Sequence, residues 1–183
     1  MFQEKLNYRD KTTVDKELLN LYKKIQECRN CNLCYLKVNS YRPHIKLGSK
    51  AILVISQNPS IYRTGDPYVC GGLDKILNSL PPARGEEFQS ILDKVYITNV
   101  VKCSTPNNRA PIFGEVRLCF PWLKKEVNII SPQKIIVLGS IAKNSLQNKF
   151  NEISKKFLEH PISALRKGSA YDYSYKFEEA VIE

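Results

Sequence analysis

Apolar residues recur at Val14, Leu18, Leu21, Tyr22 and Ile25 within the stretch VDKELLNLYKKIQE. Three- and four-residue steps of this kind predict a helix with one buried face over 14–27. The run AILVI at 51–55 is short and continuous, as in a strand covered on both faces, and Asn58, Pro59 and Ser60 end it. Residues 73–80 read as a helix stopped by Pro81 and Pro82. The β-branched run VYITNVV at 95–101 predicts a second strand, followed by a Pro- and Asn-rich loop over 104–111. An apolar stripe at Val116, Cys119, Phe120, Leu123, Val127 and Ile130 predicts an amphipathic helix over 114–130. A third strand follows at 135–138, and Ser140 begins a helix. Beyond Gly168 the chain is rich in Lys and Tyr. Tyr171, Tyr173 and Tyr175 alternate like one face of a strand or mark a surface tail, and a short helix is expected at 177–181.

Strands alternating with helices predict an α/β fold built on a mostly parallel sheet. No repeat, low-complexity tract or linker divides the chain, so one domain over 1–183 is expected, with a helix and a cysteine segment at its N-terminal end. In open sheets of this kind, ligands bind beyond the carboxyl ends of the strands. Three polar motifs fall there: Gln57-Asn58-Pro59-Ser60, Asn99 and Ser140.

Composition narrows the classes. With 183 residues, 43% hydrophobic and 25% charged, the chain is globular rather than disordered or fibrous. It has no apolar run of the roughly 20 residues a bilayer span needs. The polar N-terminus does not read as a signal peptide, so a cytoplasmic protein without a membrane partner is expected. A net charge of +10 favours polyanionic partners, although a solvated lysine-rich surface would give the same figure.

Six cysteines, at 28, 31, 34, 70, 103 and 119, change the picture further. In a reducing compartment, Cys-x-x-Cys-x-x-Cys points to metal or redox chemistry rather than to disulfides. Cys28 and Cys31 can converge from one turn, with Cys103 at a strand end and Cys119 in the next helix. Zinc usually takes two close pairs; the wide second spacing here tilts the reading toward an iron–sulfur cluster, with zinc as the alternative. A competing reading makes Cys119 a small buried apolar residue. Cys34 is open between ligand, spare thiol and packing residue, and Cys70 reads as structural.

Taken together, five segments resemble the iron–sulfur, family 4 uracil-DNA glycosylases. They are the cysteine trio CRNCNLC; GDPYVCGG at 65–72; VYITNVVKC at 95–103, continued by NNRAP at 107–111; PQKIIVLG at 132–139; and HPISALR at 160–166. The resemblance covers about Cys28 to Arg166. It implies a three-layer α/β/α sandwich around a four-stranded, mostly parallel sheet, and a DNA repair enzyme that flips out and hydrolyses uracil. It also implies that Cys28, Cys31, Cys103 and Cys119 hold a [4Fe–4S] cluster with a structural role. By the same resemblance Tyr68 stacks on the base, Asn99 bonds its edge, and His160 sits by the carbonyl oxygen that gains charge. These roles make chemical sense: an Asn amide offers one donor and one acceptor to the uracil edge, and a donor beside the departing base stabilises its anion. Plain structural roles compete with them, namely a loop anchor, a strand-end turn residue and a helix-end surface residue.

The first-strand motif departs from the family. Gly-Glu-Ala-Pro-Gly is replaced by Ser56-Gln57-Asn58-Pro59-Ser60, closer to the Gly-x-Asn-Pro of mismatch-specific and single-strand-selective glycosylases. Gln57 also resembles the first residue of the family 1 Gln-Asp-Pro-Tyr motif, with Asn58 where the water-activating Asp stands. Asn58 is therefore expected to orient water without taking its proton. The stretch 148–159 looks short for the strand that usually precedes the His-Pro motif. For DNA, Lys102 and Arg109 are expected on phosphates, Ser60 and Ser163 as hydroxyl donors, and Ile162, Leu165 or Arg166 as a wedge. The partner expected is uracil-containing DNA and the state a monomer; a sliding clamp is a partner the residues do not specify. Three alternatives stay open: another deaminated or mismatched base, a catalytically weak nucleic-acid-binding module, and a zinc-bound structural protein.

Overall fold

The computed structural model describes residues 11–36, 51–59 and 71–183. Four strands form one sheet: β1 (Ile52–Ser56), β2 (Tyr96–Asn99), β3 (Lys134–Leu138) and β4 (Ser154–Leu158). Their order is β2-β1-β3-β4, and every pairing is parallel. Seven α-helices accompany them among the described residues: α1 (Lys11–Glu27), α2 (Gly71–Ser79), α3 (Pro82–Leu92), α4 (Phe113–Ile130), α5 (Ser140–Leu146), α6 (Pro161–Arg166) and α7 (Ala170–Ile182).

Strand side chains alternate between two cores, as the pleat requires. Leu53, Ile55, Ile135 and Val137 meet Leu18 and Ile25 of α1, Leu123 and Val127 of α4, and Ala142 and Leu146 of α5. Ile52, Val54, Ile136 and Leu138 meet Leu73 and Ile76 of α2, Phe88 of α3, Ala164 of α6, and Phe177 and Val181 of α7. The result is the expected three-layer α/β/α sandwich, with an all-parallel sheet.

Three elements differ from the sequence expectation. α2 ends at Ser79, before the two prolines as expected, but Pro82 also starts a further helix, α3, because a proline at the first helical position loses no hydrogen bond. β4 does form, and its sequence SKKFL is largely exposed at one edge of the sheet, where lysines discourage further pairing. The tyrosine segment is the start of a 13-residue helix, neither strand nor tail. Tyr173 is buried, while Tyr171 and Tyr175, one turn apart, pack edge-to-face at 5.2 Å outside.

From β1 the chain passes to β2 on one side, and then returns to β3 on the other. That reversal leaves a crevice beyond the carboxyl end of β1, where ligands of open α/β sheets are held. Among the described residues, no helix is long and apolar enough to cross a membrane.

Candidate active site

Asn99 closes β2 opposite Ser56 of β1. Its side chain is 0% exposed, yet among the described residues neither its amide nitrogen nor its amide oxygen has a hydrogen-bond partner. Buried amides are nearly always satisfied, so two unmet ends on one side chain make Asn99 a candidate for contact with a ligand or an ordered water.

The backbone of Asn99 is held from below. The Lys102 ammonium is 1% exposed and donates to the Asn99 carbonyl at 2.7 Å, to Thr98 Oγ1 at 2.7 Å, and to Glu126 of α4. Glu126 is itself 0% exposed and also accepts from Tyr22 of α1 and, at 3.0 Å, from Thr98. All three ammonium hydrogens are thereby used inside the protein. This corrects the expectation of a phosphate contact at Lys102: the residue braces the strand end. Arg109, expected on phosphate too, has its guanidinium forked onto Glu115 at 2.5 and 2.9 Å. That bond holds the Glu115 carboxyl below its usual range and ties the 104–111 loop to the start of α4.

Gln57 and Asn58 leave β1 into the same crevice, both half-buried. The Gln57 carbonyl accepts from the Val101 amide at 2.9 Å, which fastens the two strand ends together. Asn58 Nδ2 donates to the Pro59 carbonyl at 3.1 Å and to Thr105 Oγ1 at 3.2 Å, while its buried Oδ1 has no partner among the described residues.

His160 reaches the crevice from beyond β4, capping α6. Its Nδ1 accepts from the Ile162 amide at 3.3 Å, which leaves the ring proton on Nε2. Nε2 lies 3.5 Å from Ser56 Oγ. Burial, and then the charge of Arg166, hold the imidazole below its usual pKa, so it is neutral at pH 7. The ring passes over the end of β3 because residue 139 is glycine. A Cβ there would lie 3.0 Å from that of His160, and the backbone sits at φ +87°. Gly72 is equally tight: its Cβ would meet Pro161 at 3.0 Å. Ser163 is half-buried on α6 and Arg166 is exposed at its end. Ser60 and Tyr68, expected at phosphate and base, lie outside the described residues, as does Cys70.

Cys28, Cys31, Cys34, Cys103 and Cys119 line one hollow between the end of α1, the loop after β2 and α4. All five stand outside disulfides. Among the described residues no three potential ligands already stand in metal-binding geometry. The surroundings nonetheless suit a sulfur-bound group. The Lys102 amide points at Cys119 Sγ from 3.1 Å. Trp122, on the same wall, has a buried indole N–H with no partner among the described residues. Burial pushes the Cys119 thiol up to about 11, countered by Lys102 and reinforced by Cys31 and Cys28, so a thiolate there needs a bound cation.

Thr105, Glu126 and Gly139 are not singled out as site residues in the sequence. A signal existed for one pair: a lysine ending the apolar run VVK and a glutamate inside the apolar stripe of α4 are two charges where burial is expected.

The uracil DNA glycosylase superfamily profile matches residues 43–181. A type-4 uracil-DNA glycosylase of Pyrobaculum aerophilum is 32% identical over 147 residues, spanning 76% of this chain and 69% of its own length. One from Archaeoglobus fulgidus is 31% identical over 159 residues, 86% and 74% of the two chains. One from Sulfurisphaera tokodaii is 29% identical over 171 residues, 90% and 71%. With a profile match over most of the chain, and relatives this similar over most of both lengths, this chain belongs to the uracil-DNA glycosylase superfamily.

Proposed function

We propose that the protein is a DNA repair glycosylase that hydrolyses uracil from DNA and leaves an abasic site. The observation that carries this reading is Asn99: a fully buried amide with one donor and one acceptor unmet, at the crevice of the sheet. The O4 and N3–H edge of uracil is the matching acceptor and donor. Cytosine presents the opposite order, so an amide held in the uracil-matching orientation meets it with both ends opposed.

Bond cleavage expels the base with its electron pair, so charge gathers on the base carbonyls. A neutral His160 carrying its proton on Nε2 is a donor for that charge without the desolvation cost of a buried imidazolium. Asn58 presents its free Oδ1 to a water hydrogen and turns the water's lone pair toward C1′ of the sugar. The water oxygen bonds C1′ after the C1′–N1 bond has largely broken. The water's proton passes to solvent, and the departed base takes one up. With an amide in place of a carboxylate, attack waits on a largely dissociated sugar cation, so a slower reaction is expected.

In the cysteine hollow we assign Cys28, Cys31, Cys103 and Cys119 as ligands of a [4Fe–4S] cluster, with zinc as the competing group. When bound, it supplies a cross-link between α1, the loop after β2 and α4. Purified protein should be brown, with iron and sulfide at four each per chain; a colourless zinc protein overturns this assignment. We place the protein in the cytoplasm, acting on DNA as a monomer.

The functional test is base release from a labelled oligonucleotide carrying uracil, single-stranded and opposite G and A, with enzyme in excess. Alkali-labile cleavage at uracil is expected. Release only from hypoxanthine or a thymine mismatch would move the substrate, and DNA binding without release from any of them would make the chain a binding module.

A further inference from the structure

The crevice contains one polar side chain that neither the sequence motifs nor the family resemblance picks out, and proton accounting gives it a task. Thr105 is 1% exposed, on the loop between β2 and α4. Its hydroxyl lies 2.5 Å from the Arg109 carbonyl. A carbonyl only accepts, so the single hydroxyl proton of Thr105 is committed there. Toward Asn58, 3.2 Å away, Thr105 Oγ1 has only lone pairs to offer. The nitrogen end of the Asn58 amide must face it. The Pro59 carbonyl at 3.1 Å makes the same demand from a second direction. Turning the amide over would set Oδ1 against two acceptors at once. Oδ1 is therefore held away from both, and it is this atom that is buried without a partner.

We propose that Thr105 is a positioning residue for hydrolysis: it fixes the flip state of the Asn58 amide so that an acceptor, not a donor, faces the attacking water. The inference rests on the glycosylase reading and on Asn58 as the water-orienting group. The orientation matters because the two flip states do opposite things. A carbonyl oxygen accepts a water hydrogen and leaves a lone pair for C1′, whereas an amide N–H would occupy that lone pair. The Arg109–Glu115 fork completes the arrangement, since it steadies the residue whose carbonyl takes the Thr105 proton.

The test compares Thr105→Val, Thr105→Ser, Asn58→Ala and the Thr105→Val/Asn58→Ala double variant of the full chain. Excision of uracil is followed in single turnover, and DNA affinity is measured separately. Val keeps the shape and removes the hydroxyl; Ser keeps the hydroxyl. Thr105→Val is expected to slow excision about tenfold with unchanged DNA affinity, and Thr105→Ser to stay within about twofold of the parent, because one neutral hydrogen bond is worth about 1–1.5 kcal/mol. The double variant should be no slower than Asn58→Ala. Parent-like excision by Thr105→Val, or a loss that multiplies with that of Asn58→Ala, overturns the proposal. If Thr105→Val fails to fold by thermal melting, Thr105→Ser against Thr105→Ala decides on the same two criteria. Parent-like excision by Asn58→Ala would remove the role of Asn58 and this inference with it, leaving uracil excision standing. Absence of excision by the parent would instead bring down the functional reading itself.

Discussion

At the scale of single residues, the crevice departs from the rule that buried polar atoms are paired. Asn99 has both amide ends unmet and Asn58 has one. Each such group costs stability while no ligand is bound, so function and stability should trade against each other here. Asn99→Leu, close in shape and without polar atoms, is expected to reduce uracil release by at least about a hundredfold. It should leave thermal stability equal or raised by about 1 kcal/mol; a clear loss of stability would show that the amide is a structural group. His160 gives a second residue-scale expectation. Its folded-state pKa lies below the unfolded value of about 6.5, so the unfolded chain takes up the proton first as pH falls. Its contribution to stability is fully present above pH 6.5 and is lost on acidification through the lowered pKa. Uracil release should follow the same direction: level through neutrality, declining only on the acid side of 6.5. A rise in release on acidification would mean that imidazolium is the active form.

At the scale of elements, burial decided what could be read from the chain. β1, β2 and β3 are covered on both faces and announce themselves as apolar runs. β4 is an edge strand carrying two lysines, and by hydrophobicity alone it resembles a loop. α3 is hidden by its own starting proline, and the first half of α7 by tyrosines whose step of two disguises the step of four between Tyr173 and Phe177. Asn58, Asn99 and His160 could be singled out because they sit in motifs, but nothing in a motif says which side chains hold them. Lys102 shows the difference: its position flanking the expected site suggests a phosphate contact, and its environment makes it an internal brace for β2 against α4. Removing one side of that buried pair should be costly and removing both much less so. Lys102→Met is expected to destabilise by about 3–5 kcal/mol and Lys102→Met with Glu126→Leu by far less, measured by denaturant unfolding. Equal losses would mean that the pair is not the source of the cost.

At the scale of the whole molecule, charge and shape act together. A chain with ten excess positive charges is drawn to DNA at long range before any base is read. The exposed Arg166 at the end of α6 lies just beyond His160, where that attraction can be turned into register on the backbone. Arg166→Ala should weaken DNA binding at low salt and reduce the slope of log affinity against log salt by about 1. An unchanged slope would place Arg166 away from phosphate. The sandwich brings the crevice and the cysteine hollow close together: Lys102 donates its amide to Cys119 and its ammonium to the carbonyl of Asn99.

The unmet amide of Asn99 has one more consequence. On the proposed role of Asn99, what it lacks is supplied as well by free uracil as by uracil still joined to its sugar, since both present the same edge. An enzyme that reads the base in this way holds on to what it has cut out. Free uracil should slow excision when added beforehand and should raise the melting temperature of the protein, and turnover should end on a departure rather than on a bond being broken.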